Sequence, residues 1–157
     1  MKKTNALRLV DAANYNYTAR EYDTSDGEIS GVAVAAKIGE EPGRVFKTLV
    51  TEGKSTGLNV FIIPSNAELD LKKAAIAAGD KNIEMIKARD LEPKTGYVHG
   101  GCSPIGMKKS LPTFIDESAI LYKTIFVSGG RIGLQINIAL PDLVSMTNAI
   151  LCDLVKN

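Results

Sequence analysis

A lysine lies within an apolar stretch at residues 45–51, where it could act as a buried cation in a site. The stretch predicts a strand, and because successive side chains of a strand point to opposite faces, Lys47 shares a face with Val45 and Leu49. Neither face has the composition of a solvated surface, and lysine is rarely buried without a partner. Two interpretations stay open: a sheet-edge position whose side chain extends to water, or a cation that takes part in a site.

The segment 96–106 is rich in glycine and could bring the main chain against a ligand. Gly100, Gly101, Pro104 and Gly106 fix an irregular backbone there. Successive amides in such a backbone can bind an anion or a carbonyl oxygen. A connecting loop without function is the alternative, although this loop is unusually apolar.

Cys102 and His99 lie in the same segment and raise the question of a cysteine nucleophile. A nucleophile and its base must meet in space, with a third group orienting the base, and sequence proximity does not establish this. One histidine and two cysteines far apart, Cys102 and Cys152, cannot complete a closed zinc shell. We therefore expect no metal and no cofactor.

The elements that must position these residues are helices and strands that do not alternate strictly. Thr4 and Ser30 are candidate helix caps, and Ser65 begins a capping-box pattern with Glu68. A last helix is predicted to begin at Pro141 and to bury apolar residues as far as Leu154. Strands are predicted over residues 17–22, 45–51, 58–63, 83–86, 113–116, 124–127 and 134–140.

This order of elements argues against a doubly wound parallel sheet. It favours a mixed α/β fold in which a mixed sheet curls toward a partly closed barrel and helices flank it. A length of 157 residues is that of about one domain, so we expect residues 1–157 to form a single unit.

Composition limits the function classes. No run of 18 apolar residues predicts a membrane span, and no apolar core follows Lys2 and Lys3, so we expect a cytoplasmic protein without a signal peptide. Both cysteines are predicted to be free thiols. The net charge of +1 lacks the basic surplus of a protein that holds nucleic acid by its backbone alone.

Several segments, in order along nearly the whole chain, resemble the YbaK/EbsC group of the prolyl-tRNA-synthetase-associated editing domains. The glycine-rich segment is the longest and most specific of them. The segments are 46–50, 68–75, 96–109, 116–119, 127–131 and 133–136.

The resemblance implies the partly closed barrel described above, in one editing domain, and it implies site residues. Lys47 and Gly101 occupy the positions of the group's catalytic residues, and Asn137 stands where many members have an acidic residue. The implied substrate-binding residues are Tyr22, Thr48, Gly100, Cys102, Ser103, Pro104, Ser128 and Gly129.

The implied activity is removal of cysteine from mischarged Cys-tRNA(Pro), and in some members from Cys-tRNA(Cys), acting in trans. In this hypothesis the substrate thiol is the nucleophile, backbone amides stabilise the oxyanion, and Lys47 positions the substrate. Two alternatives remain: a deacylase for Ala-tRNA(Pro), or a non-catalytic module that binds a nucleotide or tRNA. The expected partners are mischarged tRNA and prolyl-tRNA synthetase, with no membrane.

Overall fold

A computed structural model describes residues 1–157, which form five α-helices and eight β-strands. The helices are α1 (Asn5–Ala12), α2 (Gly31–Ile38), α3 (Leu71–Ala78), α4 (Ala88–Thr95) and α5 (Leu140–Thr147). The strands are β1 (Tyr17–Glu21), β2 (Phe46–Gly53), β3 (Gly57–Pro64), β4 (Ile83–Met85), β5 (Thr113–Asp116), β6 (Thr124–Ser128), β7 (Leu134–Ala139) and β8 (Ile150–Cys152). None of the helices has the length and apolar character needed to cross a membrane.

The strands form two sheets. The smaller sheet is antiparallel and has the order β1-β7-β6, whereas the larger has the order β4-β2-β3-β5-β8. In the larger sheet β2 pairs antiparallel with β3 and β4, while β3–β5 and β5–β8 are parallel pairs. A parallel bridge between Val45 and Phe126 joins the two sheets. The predicted mixed α/β architecture is confirmed, and the curled arrangement is two linked sheets instead of a closed barrel.

The largest core cluster fills the space between α1, the smaller sheet and strands β3 and β5. Leu134, Ile136 and Ile138 of β7 are fully buried in it, as the alternating pattern of this strand predicts. Each such side chain contributes about 1.5–3 kcal/mol by leaving water. Because these residues face the main core, Gln135 and Asn137 face the other side of the sheet.

Helix α2 has the predicted bounds and caps. The Ser30 side chain accepts a hydrogen bond from the Ala33 amide, and Gly39 ends the helix with a φ of 72°. Residues 29–31, just before and at its start, lie beside a cavity described below. The local capping chemistry therefore fixes one rim of that cavity.

The predicted capping box at residues 65–68 is wrong. Helix α3 begins at Leu71, and the Asp70 carboxylate accepts hydrogen bonds from the amides of Lys72 and Lys73. The Ser65 hydroxyl instead donates to the Pro42 carbonyl at 2.7 Å. The helix begins later because β3 extends to Pro64 and residue 69 bridges to Val155 near the end of the chain.

The predicted last helix is too long. Helix α5 ends at Thr147, and Asn148 follows in a left-handed conformation with a φ of 56°. Residues 150–152 then form β8, which pairs in parallel with β5. The buried Asp116 carboxylate accepts a hydrogen bond from the Leu154 amide at 3.0 Å, which anchors the chain after β8. The apolar residues beyond α5 therefore suit a sheet edge, which helical periodicity alone did not distinguish.

Candidate functional site

A cavity of about 510 Å³ lies between walls that come from both sheets. Strand β2 supplies Phe46, Lys47 and Thr48 from the larger sheet, and β6 and β7 supply Ser128 and Gln135 from the smaller one. The start of α2, the β4–α4 connection and the glycine-rich loop complete the lining. Segments distant in sequence thus meet around one hollow that is large enough for a small organic ligand.

Lys47 is half-buried in the wall of this cavity. It lies opposite Ile63 of β3, whereas β4 pairs only with the far end of β2, from Thr51 to Gly53. Its Nζ atom lies 3.5 Å from the Ser65 carbonyl oxygen, and it belongs to no ion pair. Burial lowers the pKa of the Lys47 ammonium, and the negative charge of Glu68 acts against this shift. The Lys47 side chain therefore forms no ion pair within the protein, although the charge of Glu68 reaches it.

The glycine-rich loop is held rigidly by its own side chains. The Tyr97 hydroxyl donates to the Ile105 carbonyl, and the Ser103 hydroxyl oxygen accepts from the Ile105 amide at 3.2 Å. A Cβ atom on Gly101 would lie 2.9 Å from the Ile132 backbone nitrogen, closer than packed atoms allow. Glycine at this position therefore lets the loop pack directly against the backbone after β6.

The amides of this loop differ in whether they are free to bind a ligand. The Gly101 amide donates to the Val98 carbonyl at 3.0 Å, and Gly101 does not line the cavity. Gly100 and Cys102 do line it, and their amides donate to no protein acceptor. Gly101 thus supports the loop, while the amides of its two neighbours remain without a protein partner.

The geometry gives no support to a cysteine nucleophile. Burial raises the pKa of the Cys102 thiol to about 12, so that it stays protonated near neutral pH. His99 also lines the cavity but is exposed, and no hydrogen bond joins it to Cys102. No group of three histidine, cysteine or acidic side chains that could hold a metal ion occurs in the structure.

Two polar atoms in the cavity wall are buried without a hydrogen-bond partner, Thr48 Oγ1 and Gln135 Oε1. Gln135 lies opposite Ser128 in the β6–β7 pair and is 6% exposed. Sequence reasoning placed Gln135 on the face of β7 away from the main core but assigned it no function. A polar residue on an otherwise buried strand was the signal that could have identified it.

The structure brings some of the predicted site residues together. Lys47, Thr48, Gly100, Cys102 and Ser128 line the one cavity.

The other predicted residues lie outside its lining. Ser103 and Pro104 are buried within the loop, and a Cβ atom on Gly129 would meet Leu134 at 2.6 Å, so this glycine serves the packing of the turn. Tyr22 packs on a small cluster around Phe126, and its hydroxyl has no partner. Asn137 Oδ1 also has no partner, and Asn137 is not part of the lining.

Comparisons with known proteins agree with one another. Residues 29–146 match the family model of the aminoacyl-tRNA editing domain. Over 147 residues the chain is 50% identical to EbsC of Enterococcus faecalis, named as a candidate Cys-tRNA(Pro)/Cys-tRNA(Cys) deacylase, covering 94% of this chain and 90% of that protein. Over 97 residues it is 29% identical to a proline–tRNA ligase of Thermosipho melanesiensis, covering 62% of this chain and 17% of the ligase.

A solved structure shares the fold. The crystal structure of a candidate trans-editing enzyme for prolyl-tRNA synthetase superimposes with a TM-score of 0.83 at 24% identity. The alignment covers 97% of this chain and 93% of that one.

Proposed function

The chain belongs to the aminoacyl-tRNA editing domain family, and from that premise we propose that it removes cysteine from mischarged Cys-tRNA(Pro) in trans. The name of the Enterococcus faecalis relative, at 50% identity, supports this substrate and extends it to Cys-tRNA(Cys). The structural observation that carries the proposal is the Lys47 ammonium, which lines a cavity of about 510 Å³ and belongs to no ion pair.

The need for such an activity follows from the limits of a proline-binding pocket. A difference of one methylene in a hydrophobic pocket is worth only about 1–3 kcal/mol, so a synthetase built for proline also activates cysteine and alanine at some rate. A second site that hydrolyses the wrong product is the general solution. The cavity, which is lined largely by apolar side chains, is of a suitable size for a small aminoacyl group.

The reaction needs no nucleophile from the protein. The cysteine thiol of the substrate attacks its own ester carbonyl, so that a sulfur–carbon bond forms and the bond from carbon to the ribose 3′ oxygen breaks. The thiol proton ends on that ribose oxygen, and the products are free tRNA and a cyclic thioester. Intramolecular attack reaches effective molarities on the order of 10⁵–10⁸ M when the geometry is right. This mechanism accords with a Cys102 thiol that burial keeps protonated.

The residues of this chain then orient the ester and bind its developing negative charge. We assign the oxyanion to the amides of Gly100 and Cys102, since the Gly101 amide already donates to Val98. We assign Lys47 to the ester end of the substrate, where its charge either positions the terminal ribose-phosphate or polarises the carbonyl. Thr48 and Ser128 belong to the substrate-binding wall in this scheme.

The same proposal covers the extent of the domain and its partners. One core cluster includes residues from Ala6 to Ala149, which supports a single editing domain over residues 1–157.

Since the net charge is only +1, we propose that this chain alone binds tRNA weakly and that prolyl-tRNA synthetase contributes in a ternary complex. The similarity to a segment of a proline–tRNA ligase supports that partner. A deacylase for charged tRNA would act in the cytoplasm, which is the location that we propose.

The test is a deacylation assay on Cys-tRNA(Pro), Cys-tRNA(Cys) and Ala-tRNA(Pro), each with the purified protein and with prolyl-tRNA synthetase added. Charged and uncharged tRNA are quantified over time. We expect rapid loss of cysteine and slow loss of alanine. Faster loss of alanine would replace the proposal by an Ala-tRNA(Pro) deacylase, and binding without any deacylation would replace it by a non-catalytic module.

A further inference from the structure

The lining of the cavity contains a basic side chain and no acidic one. Its titratable lining residues are Lys47, His99 and Cys102, and no aspartate or glutamate lines it. A substrate ammonium group would therefore find no carboxylate there and would share a poorly solvated space with the Lys47 charge. Like charges repel strongly in such surroundings. The cavity thus favours a ligand whose amino group is uncharged.

Two residues of the lining nevertheless carry acceptors that the protein leaves unused. Thr48 Oγ1 and Gln135 Oε1 are buried and accept no hydrogen bond from the protein. A buried polar group without a partner destabilises the fold, so native proteins seldom keep such groups without a function. Gln135 is more than nine-tenths buried and comes from the smaller sheet, whereas Thr48 comes from the larger one.

The backbone around Gln135 explains why its side chain must point into the cavity. Its neighbours Leu134 and Ile136 are fully buried in the main core, so alternation turns Gln135 to the opposite face. Its strand is paired on both sides, with Arg20 of β1 and Ser128 of β6 opposite this residue. The amide is therefore held on a central strand and cannot easily turn to water.

A neutral amine carries two N–H donors, which matches the two unused acceptors in number. Resting on the proposed deacylase function, we propose that Thr48 and Gln135 bind the uncharged α-amino group of the aminoacyl ester. The site then selects esters with a free α-amino group and rejects those whose nitrogen carries a formyl, acetyl or peptidyl group. Formylated initiator tRNA and peptidyl-tRNA are thereby spared, independently of the side chain of their amino acid.

The test pairs a change in the protein with a change in the substrate. Cys-tRNA(Pro) is compared with tRNA(Pro) carrying a 3-mercaptopropionyl ester, which keeps the thiol and the ester and has hydrogen in place of the α-amino group. The protein change is Gln135→Met, which preserves the length of the side chain and removes the acceptor. Ser118→Ala is the matched control, because Ser118 Oγ is also buried without a partner but lies outside the cavity lining.

We expect Gln135→Met to lower kcat/KM for Cys-tRNA(Pro) by about ten- to a hundredfold, the effect of one lost hydrogen bond in a buried site. The 3-mercaptopropionyl ester should lose little, since it has no amine to bind, and Ser118→Ala should leave both substrates unchanged. The wild-type protein should not cleave N-acetyl-Cys-tRNA(Pro). An equal loss on both substrates, or none, would overturn the assignment and would leave water as the partner of the Gln135 amide.

A second variant keeps the test decisive if Gln135→Met does not fold, which its thermal unfolding would reveal. Gln135→Glu keeps the shape and an acceptor, so it should retain the preference for the free amine, now bound as an ammonium. Loss of that preference in a folded Gln135→Glu protein would also count against the inference. If the wild-type protein cleaves no cysteinyl ester, the proposed function itself fails. If it cleaves Cys-tRNA(Pro) with no dependence on the amine, only this inference fails.

Discussion

The Lys47 ammonium lies 3.5 Å from the Ser65 carbonyl oxygen, a neutral acceptor that is itself fixed in place. The Ser65 amide donates to the Val45 carbonyl at 2.7 Å, and its hydroxyl donates to the Pro42 carbonyl. A neutral acceptor orients the ammonium without cancelling its charge. Because no ion pair neutralises it, the Lys47 ammonium is available to a substrate, which is what an electrostatic role in the proposed reaction requires.

Replacing Lys47 by alanine tests that role directly. We expect Lys47→Ala to lower kcat/KM for Cys-tRNA(Pro) by roughly a hundredfold or more, the usual effect of removing one preorganised electrostatic group. The variant should stay folded, because its half-buried side chain belongs to no ion pair. Lys54→Ala, on the exposed turn after the same strand, is the control and should be fully active. Unchanged turnover in Lys47→Ala would show that deacylation does not depend on this ammonium.

The charge of Glu68 should raise the alkaline limit of activity, which the half-buried Lys47 ammonium sets. Burial lowers the pKa of Lys47, and Glu68 opposes this shift. If the reaction needs the ammonium, activity falls as pH rises through that lowered pKa. Glu68→Gln removes the opposing charge, so the pKa falls further and the decline begins at lower pH.

The measurement for Glu68 is a pH profile of deacylation corrected for spontaneous ester hydrolysis. Glu68 is largely exposed and pairs with Lys156 at 3.1 Å, so the difference should shrink as salt is added. Glu117→Gln, at another exposed glutamate, should leave the profile where it was. A profile that moves to higher pH in Glu68→Gln would contradict the argument.

The Cys102 thiol should be dispensable. We expect Cys102→Ala to keep more than about a third of the wild-type kcat/KM, because it loses only a few packing contacts in the cavity wall. A true nucleophile would cost about a thousandfold or more. Cys152→Ala, at the other free thiol, serves as the control. A loss of that size in a folded Cys102→Ala protein would indicate that the enzyme supplies the reacting thiol.

Gly101 should matter for packing instead of for its amide. An added Cβ atom would meet the Ile132 nitrogen at 2.9 Å and the Arg131 carbonyl carbon at 3.0 Å, and backbone atoms cannot move aside cheaply. We expect Gly101→Ala to lose about 1–3 kcal/mol of unfolding free energy, as overpacked sites do. It should also lose most deacylation, because the displaced loop carries Gly100 and Cys102. Denaturant titration and the deacylation assay measure the two effects.

Gly27→Ala is the control for backbone effects at glycine. Gly27 has a φ of 73° and open space around it, so alanine there is strained without any new contact. It should be slightly less stable and fully active. If Gly101→Ala behaves in the same way, the close contact with residues 131–132 has no part in shaping the cavity.

Sequence reasoning succeeded where the physical cause is local. The bounds of α2 follow from Ser30 and Gly39, whose capping chemistry involves only near neighbours. The facing of β7 follows from strict alternation of apolar and polar residues. Sequence reasoning failed for β8. Residues 150–152 form a strand only because they pair with β5, and the periodicity of apolar residues does not reveal that partner.

The same division applies to the site. Lys47 and the glycine-rich loop were recognisable as unusual residues in their own segments, and the structure places both beside one cavity. Gln135 gave a weaker signal, a polar residue on an otherwise buried strand, and its unpaired amide oxygen becomes visible only in the packed fold. Tyr22 and Asn137 lie outside the lining even though the resemblance included them among positions of interest.

The two walls of the cavity come from different sheets. One sheet carries the cation of β2, the other carries the amide of β7, and an isolated bridge between Val45 and Phe126 is their only strand pairing. The register that holds the lysine is set within the larger sheet, by the pairing of β2 with β3. A side chain on the cavity face of the smaller sheet can therefore vary while the lysine on the opposite wall keeps its strand partners.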